Sequence, residues 1–503
     1  MSDMKEPVPE RNDVLLVFPP AAILMLMPEL GMPQISSWLK SRGWKSRVLD
    51  LNVKFLFDWI EKPEIEEMLK QRWSGRSETF KKTYPEYKFR RAYTVAQYDG
   101  QIGYAKSYSP VLNPENKTWH IDEIIANSLK PDPLFEKFYR EFLAPEVAES
   151  GLIGFELMDH YQLPAVLYFS RRIKEDFPGK NIIIGGPWST ASQSAFSSWK
   201  KLFDFIDFAC LYAGEEPVEG TLQFLKGERE KKDIPGVVWC ENGIVRENEI
   251  RPLPDIKSAP APDFTDLPLH LYPWKALPVR NSAGCPWGKC LFCYHCFPKN
   301  KYYEKDTART AEEMKAVADA NNFRKLSLAD FSVSPQALLG IAKNLIRIKA
   351  SVKWDALTRA DMAYSDKFAR VLAASGCRQL FVGLEIEDAE EIEKLNKGIK
   401  TSNFEKMLES CINNGISIGV FLLNYPGLSA EKLKTGLEYC RNLQKKSRGQ
   451  MYLIVKDFEL GRASNTIGHL DAFGIVLDKD VNMDVRSFSL PFKTTIPWKK
   501  LYD

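Results

Sequence analysis

The sequence predicts an α/β protein with two parallel sheets in tandem: a doubly wound sheet in the first half and a partial (β/α)6 barrel in the second. Three observations carry that expectation. Short apolar runs alternate with amphipathic segments in both halves, the pattern of parallel strands joined by helices. A proline-rich stretch separates the halves. The chain has 503 residues, more than one ordinary core accommodates, so two or three domains are expected.

In the first half, strands are expected at 14–18, 46–52, 151–157, 181–187 and 207–217. Helical spacing follows at 31–43, stopped by Gly43, then at 163–179 and 218–227. Residues 53–145 interrupt the alternation with an irregular insert rich in aromatics and charge. Its stretch KFRRAYTVAQYDGQIGYAKSY interleaves basic and aromatic residues and reads by default as a solvated cap. Ligands of doubly wound sheets bind beyond the carboxyl ends of the strands. That end holds Gly185, Gly186, Gly214 and Glu215. The proline-rich segment marks a domain boundary at 252–276, as a semi-rigid connector.

In the second half, strands are expected at 277–283, 325–330, 352–359, 378–386, 416–427 and 450–458, with helices at 310–322, 334–349, 365–376, 402–415 and 429–446. Six strand–helix units suggest a partial barrel whose working residues lie at the strands' carboxyl ends. The tail LPFKTTIPWKKLYD reads as a packed strap.

Composition excludes several classes. With 69 basic and 66 acidic residues, there is no global charge for nucleic acid or anionic membranes. The apolar run LLVFPPAAILMLMP is broken by Pro19 and Pro20, lacks an Ala-x-Ala site and is too short to span a bilayer. The expectation is a cytoplasmic chain without a membrane span. Five of the nine cysteines are scattered in apolar surroundings, as inert core thiols in a reducing compartment would be.

The other four fall in AGCPWGKCLFCYHC, residues 283–296. A structural zinc site with Cys285, Cys290, Cys293 and Cys296 is one reading, although paired zinc ligands are usually spaced further apart. Disulfides or free thiols are another. A third is a four-iron cluster on Cys285, Cys290 and Cys293, which leaves one iron open to a small molecule. Gly284 and Gly288 allow the loop to turn, and Phe292 can shield the cluster. A triad shifted to Cys290, Cys293 and Cys296 is also open.

GCPWGKCLFC after the first barrel strand resembles the radical S-adenosylmethionine (SAM) enzymes, whose usual triad is Cys-x3-Cys-x2-Cys; here the first gap is one residue longer. FVGLEIEDAEEIEKLNKGI and VFLLNYPGLSAEKL resemble the family's fourth- and fifth-strand segments. The resemblance places Glu385 at a SAM-contacting position, with Asp330 and Arg359 at strand ends facing the same pocket. PELGMPQISSWLKSRGWKSRVLDLN, NIIIGGP and YAGEEP, followed by APDFTDLPLHLY, resemble the cobalamin-binding subclass. That layout implies a Rossmann-like, cobalamin-binding-type domain at 1–251, the linker at 252–276, a radical SAM partial barrel at 277–470 and an extension at 471–503. It implies a 4Fe-4S cluster, SAM and cobalamin as cofactors, with the last held at Gly185, Gly186, Gly214 and Glu215. It further implies hydrogen abstraction and methyl transfer on a small-molecule or peptide substrate, with an external electron donor such as flavodoxin or ferredoxin. No Asp-x-His-x-x-Gly motif is present; Asp159 and His160 are adjacent. A radical SAM enzyme without cobalamin and a zinc-stabilised binding protein are the alternatives. No general acid or base is identifiable.

Overall fold

The computed structural model describes residues 11–20, 27–59, 62–65, 67–68, 96–98, 101–103, 119–251, 258–294 and 302–501. Strand β1 (Asn12–Phe18) shows why the first sheet has helices on both sides. Val14, Leu16 and Phe18 enter one apolar cluster, and Leu15 and Val17 enter another on the opposite face. Alternate side chains point to opposite faces, so a strand covered on both sides reads as one continuous apolar run.

The sheet runs β2 (Ser46–Asp50), β1, β3 (Ser150–Glu156), β4 (Asn181–Gly185), β5 (Phe208–Cys210), β6 (Val237–Glu241) and β7 (Ile244–Glu247). The first five strands are parallel. The last two form an antiparallel edge hairpin, which corrects the expectation of an all-parallel sheet. Its turn, Asn242-Gly243, has φ of 52° and 73°, the left-handed pair that Asn-Gly favours in two-residue hairpins. Helix α1 (Gly31–Lys40) follows β1, α2 (Leu163–Asp176) follows β3, α3 (Pro187–Ala191) follows β4 and α4 (Glu215–Leu225) follows β5.

The reading of 53–145 as irregular needs correction at both ends. Helical turns continue from Leu51 to Trp59, and helices at Ile121–Ser128 and Pro133–Phe138 precede β3. Trp59, Ile121, Ile124, Phe135 and Phe138 are buried in the second apolar cluster. These segments are the crossover that covers one face of the sheet. Most of the basic–aromatic stretch lies outside the described residues.

The connector is not a free spacer. Gln34 Nε2 donates to Pro260 O at 2.9 Å and Ser37 Oγ to Ala261 O at 2.6 Å. Tyr272 OH donates to Asp50 Oδ2 at 2.5 Å. Phe264, Leu267 and Tyr272 carry the first apolar cluster on into the barrel strands.

The second sheet is parallel throughout, in the order β8 (Ala276–Val279), β9 (Lys325–Val333), β10 (Lys353–Thr358), β11 (Cys377–Glu385), β12 (Ser417–Asn424) and β13 (Met451–Asp457). Pro278 sits in β8, which pairs on one side only, where a missing N–H is tolerated. The covering helices are α5 (Thr307–Asn321), α6 (Pro335–Arg347), α7 (Asp366–Ala374), α8 (Ala389–Lys394), α9 (Thr401–Asn413) and α10 (Ala430–Lys446). Ser334, Ser365 and Ser429 start three of them by accepting from the amides of Ala337, Phe368 and Lys432.

The last segment returns to the first domain. Trp188 Nε1 donates to Val485 O and Trp199 Nε1 to Asn482 O, each at 2.7 Å. The hydroxyls of Ser192 and Ser487 pair, and Arg462 of the barrel donates to Val481 O, Asp484 O and Asn482 Oδ1. No helix among the described residues is long and apolar enough to cross a membrane.

Candidate active site

Strand β8 delivers the cysteine loop to the mouth of the barrel. Asp330, buried in β9 just past the end of its pairing with β8, fixes where the loop begins. Its carboxylate accepts from Asn281 N at 3.1 Å, Ser282 Oγ at 2.5 Å and Ser282 N. Burial raises its pKa while these donors oppose the shift. The carboxylate is therefore engaged with the strand exit. The loop then turns through Gly284 (φ 80°) and Gly288 (φ 62°).

Cys290 is buried; Cys285 and Cys293 are partly exposed. Burial pushes the Cys290 thiol up to about 11, against the pull of Lys397 and Arg359. Arg359 reaches Cys290 Sγ at 3.8 Å with one Nη and donates to Lys397 O at 2.6 Å with the other. Lys397 Nζ pairs with Glu385 Oε1 at 2.8 Å, both side chains nearly buried. Glu385 has φ of 64° at a register shift in β11, which turns its carboxylate back toward Lys397. Two cations and a carboxylate thus surround the most buried thiol. Lys397, from LNKGI, is a site residue that the sequence reading passed over.

The loop is pinned from two more sides. Leu291 N donates to Leu395 O at 3.0 Å. Thr466 Oγ1 donates to Leu291 O at 2.6 Å and Asn465 Nδ2 to Cys290 O at 3.2 Å. Cys296 lies outside the described residues. Among those described, no three Cys, His, Asp or Glu side chains converge on one point closely enough to chelate a single ion. Zinc needs its donors within about 2.3 Å of one centre, whereas a cubane spreads its thiolates over separate irons. The curled loop, its apolar neighbour Phe292 and the flanking cations fit a cluster held by three thiolates.

A cavity of about 730 Å3 opens beside Gly284 and extends to the carboxyl ends of β1, β3, β4 and β5, the size of a cofactor pocket. Gly185, Gly186, Gly214 and Glu215 all line it. Gly186 has φ of 94°, and a Cβ there would lie 2.6 Å from Leu157 O. A Cβ on Gly185 would meet Cys210 Sγ, and one on Gly214 would meet Ile35, at 2.6 and 2.5 Å. Glycine is therefore required at these three positions by the packing of the strand ends themselves.

The sequence reading missed the acids and the arginine here. Glu29 and Glu156 share a hydrogen bond, and burial raises both; two such carboxyls cannot both ionise easily, so a proton stays between them. Arg280, just before the cysteine loop, reaches Glu215, at the start of α4, at 3.7 Å. Tyr294, next to Cys293, also faces the cavity, and burial pushes its phenol up to about 12. Charged groups isolated in a sequence carry no signal of such convergence. His160 is buried edge-on against Trp119, with ring centroids 4.5 Å apart, and does not line the cavity.

The segment 282–440 matches the family model described as the radical SAM superfamily. An uncharacterized methyltransferase of Pyrococcus horikoshii is 23% identical over 270 residues, covering 52% of this chain and 58% of that protein. The hopanoid C-3 methylase of Methylococcus capsulatus is 23% identical over 314 residues, covering 58% of this chain and 56% of that protein. The chain thus spans less than two thirds of the length of these relatives. The cobalamin-dependent SAM radical enzyme OxsB, solved with aqua-cobalamin and SAM bound, superposes with a TM-score of 0.64 at 14% identity, over 95% of this chain and 64% of that one. The radical SAM methyltransferase TsrM of Kitasatospora setae superposes with a TM-score of 0.55 at 15% identity, over 89% and 72%. The α/β fold is that of these enzymes, a first-half domain joined to a radical SAM barrel.

Proposed function

We propose that this chain is a cobalamin-dependent radical SAM methyltransferase. One observation carries the reading: a single cavity connects the cysteine loop with the glycine floor of the first sheet. Cys285, Cys290 and Cys293 would hold a 4Fe-4S cluster, Glu385 and Arg359 would meet SAM's polar groups, and Gly185, Gly186, Gly214 and Glu215 would border cobalamin. When bound, these groups supply reductive SAM cleavage, hydrogen abstraction from an unactivated carbon and a transferable methyl group. The protein's own residues orient and shield. Arg359 and Lys397 offset negative charge at Cys290, Asp330 sets where the loop leaves β8, and Phe292 and Tyr294 restrict water. The glycine floor lets a flat ligand lie directly against the backbone. The substrate is a small molecule or peptide, and the electron comes from an external donor.

Anaerobic reconstitution tests this reading. The expected result is about four irons and four sulfides per chain, dithionite-dependent formation of 5′-deoxyadenosine, and a bound hydroxocobalamin spectrum. Cys285→Ala, Cys290→Ala and Cys293→Ala should each abolish iron uptake, while Cys296→Ala retains it. Wild-type protein that takes up no iron and cleaves no SAM would refute the proposal. Iron uptake without cobalamin binding would confine it to the radical chemistry.

A further inference from the structure

The longer first gap of the cysteine loop, Pro286-Trp287-Gly288-Lys289, needs something to hold it. A loop with an additional residue has more conformations to lose before its thiols come into register. Trp287 supplies contacts on three sides. Its indole Nε1 donates to Asn396 O at 2.8 Å. Its ring lies against Gly398, where φ is 68° and any Cβ would overlap the indole. The Arg359 guanidinium sits 5.0 Å from the ring centroid, within cation–π range. The same Arg359 touches Cys290 and the Lys397 carbonyl.

We propose that Trp287 is a positioning residue, a latch that fastens the enlarged Cys285–Cys290 gap to the Asn396–Gly398 turn and so sets the place of Cys290 beside Arg359 and Lys397. The inference rests on the cluster assignment above. It says why a four-residue gap works in this chain: the indole occupies the volume that a side chain at 398 would fill.

The test uses the full chain with Trp287→Ala, Trp287→Phe, Gly398→Ala and the double variant Trp287→Ala/Gly398→Ala. Two quantities are read. In cluster-free protein, the rate of Cys290 alkylation by iodoacetamide is followed by peptide mass spectrometry. In reconstituted protein, iron loss to a chelator and the electron paramagnetic resonance line shape of the reduced cluster are followed. Trp287→Ala and Gly398→Ala should each raise Cys290 alkylation and iron loss at least tenfold and change the line shape. Trp287→Phe keeps the ring but not the N–H and should fall between Trp287→Ala and wild type. The double variant should be no worse than either single, because both remove the same contact. Equal Cys290 reactivity in wild type and Trp287→Ala, or effects that multiply in the double variant, overturns the latch. Wild-type protein that takes up no iron refutes the cluster assignment, while the alkylation rates still decide whether Trp287 secures the loop. Thermal unfolding of the cluster-free variants separates loss of the latch from loss of the fold.

Discussion

Replacing Gly186 with alanine should damage the first domain and the cavity together. The position has φ of 94° and ψ of −178°, a region that side-chain-bearing residues enter at a cost of about 1–3 kcal/mol. The new Cβ would lie 2.6 Å from Leu157 O and 3.1 Å from Leu157 N. Those are backbone atoms, and Leu157 O also accepts from Trp188 N at 3.0 Å, so relief requires moving the start of α3. Overpacking of that kind adds about 1–3 kcal/mol, for a total near 4 kcal/mol. With a urea slope of roughly 3 kcal/mol/M, the unfolding midpoint falls by about 1 M. Hydroxocobalamin titration should show affinity at least about tenfold weaker, the equivalent of 1.4 kcal/mol. Gly185→Ala is the internal control: its Cβ meets only the Cys210 thiol, a side-chain end that can rotate, so its loss should be under half as large. A Gly186→Ala midpoint within about 0.3 M of wild type, with unchanged binding, would refute the reasoning.

The pH dependence has a worked sign. Burial raises the Asp50 pKa to about 6, against the hydrogen bonds from Tyr272 and Val53. A carboxyl whose folded pKa is raised contributes stability that is fully present below its unfolded value and lost as pH rises through about 6. Relative to Asp50→Asn, wild type should gain about 2 kcal/mol between pH 7 and pH 4 in urea titrations; a difference flat with pH would remove Asp50 as the cause. Trp188→Phe removes the shorter of two hydrogen bonds to the buried Val485 carbonyl, leaving only Ser487 Oγ at 3.5 Å, and should cost about 1 kcal/mol. Limited proteolysis within residues 478–490 should quicken, whereas an unchanged digestion rate would mean that the strap is held elsewhere.

The repeating parts of the fold were legible because apolar periodicity is local. Buried strands, Ser caps and Gly stops mark β1, β9 to β13 and helices α6, α7 and α10 within a few residues. The edge hairpin was missed although its Asn-Gly turn is present: no strand was expected between the helix at 218–227 and the connector, because the short, half-exposed run Ile244–Glu247 carries little apolar signal. The crossover helices after β2 were missed because aromatic, charged sequence hides their apolar faces until Trp59, Phe135 and Phe138 meet. In the site, clustered cysteines and strand-end glycines announce themselves. Trp287, Lys397, Arg280 and the Glu29–Glu156 pair do not, since their meaning comes from partners far away in the chain.

Phe488 forms part of the cavity wall, its ring 5.5 Å from that of Tyr294, and the segment before it is held by hydrogen bonds from Trp188, Trp199 and Arg462. Domains fold in order as a chain leaves the ribosome. The first sheet and the barrel can therefore assemble while the pocket between them still lacks a side. That wall closes only when the segment around Val485 and Phe488 has been synthesised and has docked. One side of the cavity therefore belongs to the last part of the chain, tied to the first sheet through Trp188 and Trp199.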